Sequence, residues 1–169
     1  MKNQFGFFTL EIILVVMIIS LLATVAVPNM HKMLDTARLD YEIKKFCSEF
    51  DFAHALGKQA SVKAEIFDGT FSADKDSRTI AISIDEKNRA YQLLRGSTSG
   101  YNPIREKHFL SDGIKINSTV NRILFSADGR LVNDTGGAIS NSFYFTSSYV
   151  IKPFEMNVDS VGRWRGKRS

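Results

Sequence analysis

Between Phe7 and Val27 only one side chain is ionisable, Glu11, and nearly all the rest are apolar until Pro28. About 20 apolar residues at ~1.5 Å rise per residue match a bilayer core of roughly 30 Å. The stretch therefore predicts a membrane-spanning helix. A carboxylate inside such a helix is costly, about 2.5–3.5 kcal/mol at its centre and less near an end. A chain that keeps one there needs a partner for it. A secretory signal has a shorter apolar core, no acid in it and a small-x-small cleavage site, of which Thr24-Val25-Ala26 is a poor version. A plain single-pass anchor leaves Gly6 and Glu11 unexplained.

The residues before the span sharpen this. Met1 to Gly6 is short and polar and ends in glycine. Counting from Phe7 as the first residue, Glu11 is fifth and Pro28 twenty-second. This segment resembles the N-terminus of type IV prepilins and pseudopilins. The resemblance implies cleavage by a prepilin peptidase between Gly6 and Phe7 and N-methylation of Phe7. It also implies an assembly role for Glu11, whose carboxylate would pair with the N-terminal amine of a neighbouring subunit, and for Pro28. Phe8-Thr9-Leu10 departs from the family's usual residues without shifting the spacing. A Glu11 that snorkels to the interface, or is protonated in lipid, is the plainer alternative. The flanking cations oppose the implied topology: Lys2 stands alone before the span, whereas Lys32, Arg38, Lys44 and Lys45 follow it. Long domains can cross regardless of such charge.

After Pro28, where a kink rather than a stop is expected, apolar residues recur at helical steps. Met30, Leu34, Ala37, Tyr41, Ile43, Phe46, Phe50, Ala53 and Leu56 form the expected stripe, and Gly57 the expected stop. Strands are expected at Val62–Phe67, Arg78–Ile84, Ala90–Leu94, 114–116, Arg122–Phe125, Arg130–Val132, Phe143–Thr146, Tyr149–Ile151, Phe154–Val158 and Val161–Arg165. Turns fall at 85–88 and at Asp128-Gly129, and a loop is expected over Gly96–Pro103. The predicted fold is α+β: a long N-terminal helix, transmembrane in its first half, packed on an antiparallel β-sheet domain. The divisions are a leader at 1–6, a span and filament-core helix at 7–27, its amphipathic continuation at 28–57 and a β-rich globular domain at 58–169.

Two later motifs refine the resemblance. Ile123 to Arg130 runs a strand into an Asp-Gly turn, and the chain closes on Gly162-Arg163-Trp164-Arg165. This order resembles the GspH/FimT group of minor pseudopilins and minor pilins. The implied function is a structural subunit that primes or caps a type IV pilus or a type II secretion pseudopilus. Its implied partners are other pilin subunits, the prepilin peptidase and an inner-membrane assembly platform. The implied location is the inner membrane, with the C-terminal domain outside the cytoplasm, and then the pilus or pseudopilus.

The formal net charge is +4, but no acid follows Asp159, while Arg163, Arg165, Lys167 and Arg168 crowd the end. Guanidinium groups bind phosphate without sequence choice. In the resembled group, Gly-Arg-x-Arg near the C-terminus is a motif of minor pilins that bind DNA for uptake. A solvated basic edge that keeps a terminal strand from foreign pairing accounts for the same residues.

No catalytic site, metal or cofactor is expected. The single cysteine, Cys47, forms no internal disulfide. Cys47 and His54 lie seven apart on one helix face, which packing explains. Asp74, Asp76 and Asp85 lack EF-hand spacing and read as solvated loop.

Overall fold

The computed structural model describes residues 4–60, 79–97, 100–126, 128–133, 136–150 and 152–168. One helix, α1 (Gln4–Ala60), runs unbroken through Pro28. Ten strands follow: β1 (Ile80–Asp85), β2 (Ala90–Ser97), β3 (Gly100–Pro103), β4 (His108–Phe109), β5 (Ile114–Ser118), β6 (Arg122–Phe125), β7 (Leu131–Val132), β8 (Asn141–Ser147), β9 (Phe154–Val158) and β10 (Trp164–Arg168). They form two antiparallel sheets. The first has the order β3-β2-β1-β6-β7, with β4 also pairing to β2; the second has the order β10-β9-β8-β5. The expected strand at Val62–Phe67 lies outside the described residues, as do Asp74, Asp76 and Arg78.

Both sheets pack against the second half of α1. Phe46 sets its ring edge-on to Tyr91 of β2 at 5.1 Å and to Phe143 and Phe145 of β8 at 4.8 and 5.2 Å. One turn on, Phe50 meets Phe125 of β6 at 5.2 Å and Phe143 at 6.3 Å. Two helix residues thus join the two sheets into one core, in the edge-to-face geometry aromatic quadrupoles favour.

The helix corrects two expectations. Gly57 is not a stop; the helix continues to Ala60. A Cβ at Gly57 would lie 2.8 Å from Phe125 Cβ, so this glycine permits close approach of β6. The buried stripe is also rotated in its first turns. Met30, Leu34, Ala37 and Tyr41 are exposed, while Asp35, Leu39, Glu42 and Ile43 are buried. At 100° per residue the two sets lie on opposite faces. From Ile43 onward the expected apolar positions do face the domain, Leu56 among them only in part.

Three β-segments also differ. Gly96–Pro103 is not a loop: β2 extends to Ser97 and pairs with β3, the register running from Leu94↔Pro103 to Ser97↔Gly100. Gly96 pairs with Tyr101 and Ser97 with Gly100, which stands at φ 127°. The described part of Tyr149–Ile151 is not a strand, because the Tyr149 N–H turns to the Asp35 carboxylate at 3.3 Å. The last strand begins at Trp164 rather than Val161. Asp159 accepts bonds from the N–H groups of Val161 and Arg163 at 3.1 and 2.9 Å, and Gly162 sits at φ 83°, so Asp159–Arg163 forms a turn.

Candidate functional site: an apolar helix and a basic edge strand

Every residue from Thr9 to Leu34 is exposed. The stretch is apolar enough to cross a membrane, with a mean hydropathy of 2.8 in its best window. Its hydroxyls turn inward on the backbone: Ser20 donates to the Val16 carbonyl and Thr24 to that of Leu21, both at 2.7 Å. Such bonds satisfy polar groups where no water is available. Glu11 is exposed near the start of this stretch and has no ion pair among the described residues. Gly6 and Phe7 lie within the helix, and Pro28 sits in the middle of it.

Below Leu34 the helix carries five carboxylates, each tied to a different point of the domain. Asp35 accepts from the Ser147 hydroxyl at the end of β8. Asp40 pairs with Arg168 of β10. Glu42, 1% exposed, accepts from His108 Nε2 at 2.7 Å and from the Ser111 hydroxyl and N–H at 2.6 and 3.1 Å. Burial pushes the Glu42 carboxyl up, but the bonds from His108 and Ser111 outweigh burial and hold it below the usual carboxylate range. Glu49 binds Arg105 at 2.5 Å, and Asp51 accepts from Trp164 Nε1 at 2.8 Å. The apolar pattern of the helix carries no sign of these acids. Asp35, Glu42 and Glu49, seven residues apart along one flank of the helix, were the available signal.

The ties to Asp40 and Asp51 fix β10 alongside the helix. The two acids lie about 16 Å apart along the axis at ~1.5 Å per residue. Trp164 and Arg168 lie about 13 Å apart along an extended strand, so β10 runs antiparallel to α1. Alternation places Trp164, Gly166 and Arg168 on the helix side and Arg165 and Lys167 on the other. The four expected basic residues therefore divide. Arg168 is committed to Asp40. Lys167 approaches Glu155 at 3.7 Å, and Arg163 binds Asp159 at 3.0 Å. The Asp159 carboxyl is held down first by the Arg163 backbone N–H and then by its guanidinium. Arg165 is exposed and has no ion pair among the described residues. Arg163 and Arg165 line one cavity of about 420 Å³ with Ser140, Asn157 and Asp159.

Cys47 and His54 do not converge. Cys47 lies 3.9 Å from the Met156 sulfur, and its thiol is pushed up to about 11, first by burial and then by Asp51. His54 Nε2 meets the Gly129 carbonyl at 2.9 Å. Asp85 is bound by Lys107 and Asn88 in its turn. Among the described residues no group of three His, Cys, Asp or Glu side chains is placed to hold a metal.

No protein-family model and no curated protein matches the sequence. Among solved structures the chain is similar to the minor pseudopilin EpsH from the type 2 secretion system of Vibrio cholerae. The TM-score is 0.48 and the identity 10%, over 72% of this chain and 91% of that one. One long N-terminal helix laid on two antiparallel sheets makes the fold α+β, as expected.

Proposed function

We propose that this chain is a minor pilin or pseudopilin, a structural subunit that primes or caps a type IV pilus or a type II secretion pseudopilus. In this reading residues 1–6 are a leader removed by a prepilin peptidase, and Phe7 becomes the methylated N-terminus. The mature subunit waits in the inner membrane with its β-rich domain outside the cytoplasm, and an assembly platform passes it into a filament of similar subunits. The observation that carries this reading is the wholly exposed stretch Thr9–Leu34, apolar through Val27 but for two threonines and a serine, with Glu11 as its one acid. Its surface needs lipid before assembly and sister helices after it, and its carboxylate needs a cation that a neighbour's N-terminal amine supplies.

The test separates processing from assembly. Gly6→Val leaves the precursor uncut, read as an unchanged N-terminal mass; normal cleavage overturns the leader assignment. Glu11→Ala is cut normally but fails to enter filaments sheared from cells, and normal incorporation overturns the register role of Glu11.

A second reading is DNA capture for uptake, favoured by the cavity that Arg163 and Arg165 share. Double-stranded DNA titrated at several salt concentrations would bind with a steep salt dependence. Arg163→Ala/Arg165→Ala would lose most of that binding. Lys167→Ala would lose little, since Lys167 lies outside that cavity, and Arg168→Ala would lose little because Arg168 is turned to the helix. No binding at low salt removes this reading and leaves the filament role intact.

A further inference from the structure

The strand β10 is the edge of its sheet. It pairs with β9 alone, and no other backbone bond among the described residues reaches 164–168. Beside it runs a groove of about 520 Å³, walled by Ile43 and Cys47 of α1 and by Phe154 and Trp164. The groove opens over Gly166, where any Cβ would collide with the Phe154 ring. Lys44 stands on the helix rim, and Arg165 and Lys167 are exposed on the strand itself. An unpaired edge accepts another extended chain through its backbone, and a pocket beside it selects alternate side chains. The basic residues decide which chain. Like charges oppose pairing of β10 with the β10 of a second copy. Asp51, which also lines the groove, is taken up by Trp164 Nε1. An acidic strand therefore complements Lys44 and Arg165, with Lys167 shared with Glu155.

We propose that β10 and the groove beside it form a docking site for an extended acidic segment of a partner protein. That segment adds as a fifth strand to the β10-β9-β8-β5 sheet and sets an apolar side chain between Trp164 and the helix. The groove lies on the opposite face of the strand from the Arg163–Arg165 cavity, with which the site shares only Arg165, and the proposal does not depend on the filament reading.

Trp164 is the only tryptophan in the chain, so its fluorescence reports the groove directly. The full chain in detergent micelles is titrated at low salt with an eight-residue peptide alternating Glu and Val. Controls are the Lys–Val counterpart and a Glu–Pro version that lacks half the backbone donors. The expected result is a saturable Trp164 shift with the Glu–Val peptide and none with the other two. Arg165→Glu/Lys167→Glu should weaken Glu–Val binding by roughly tenfold or more and admit the Lys–Val peptide. That gain shows the variant is folded, and its thermal midpoint provides a second check. Equal binding of the Glu–Pro peptide would reduce the contact to charge alone and overturn strand addition. Equal binding of the Lys–Val peptide to the unaltered chain, or no saturable shift at all, would overturn the site.

Discussion

Glu42 is nearly absent from the surface, yet it is an acid on a helix face otherwise given to Leu39, Ile43 and Phe46. Its two oxygens are divided between His108 and Ser111, so removing it strands the donors of both residues. Glu42→Ala should lower the unfolding free energy by about 2–3 kcal/mol, measured by urea denaturation. The acid dependence has a definite sign. The folded pKa lies below the ordinary 4.5, so the stabilisation is complete above that value and fades as pH falls through the folded one. Glu42→Gln should flatten the acid limb of a stability–pH curve; an unchanged limb would show that other carboxylates set it.

At the scale of elements, β10 depends on α1 as much as on its own sheet. Asp40→Ala/Asp51→Ala should speed amide exchange in 164–168 by roughly tenfold, the worth of about 1.5 kcal/mol of side-chain bonding. Exchange in β8, held on both sides, should stay unchanged. If β10 exchange does not rise, pairing with β9 alone holds the strand. The start of this strand was hidden in the sequence, because Val161-Gly162-Arg163 alternates like a strand while the Asp159 carboxylate, two residues upstream, folds it into a turn. The opposite error occurred at Gly96–Pro103, where Gly96, Ser97 and Gly100 suggested a loop but take part in the β2–β3 pairing. Strands whose apolar alternation was unopposed by side-chain bonds, such as Ile80–Ile84 and Phe143–Phe145, were legible. So was the helix as a whole, though not the side it would bury before Ile43. There the exposed side, with Met30, Leu34, Ala37 and Tyr41, is the more apolar one, and the domain contacts go to Asp35 and Glu42. Of the candidate site, the crowding of basic residues after Asp159 was legible in the sequence. The removal of Arg168 to Asp40 was not, since it depends on the helix lying alongside.

For the whole molecule, the buried contacts begin at Asp35, and everything from Thr9 to Leu34 stands clear of the domain. A fragment starting at Asn29 should therefore keep the thermal midpoint of the full chain to within a few degrees, as followed by near-ultraviolet circular dichroism. A large drop would show that the apolar half supports the fold. The five acids between Asp35 and Asp51 bear on how the molecule carries load. Their ties reach β8, β10 and the segment from Arg105 to Ser111, spaced along the axis of one rod. A pull on the N-terminal end of that rod meets them in shear and side by side, so the force divides among them instead of opening one after another. The domain is hauled along as a single rigid cargo.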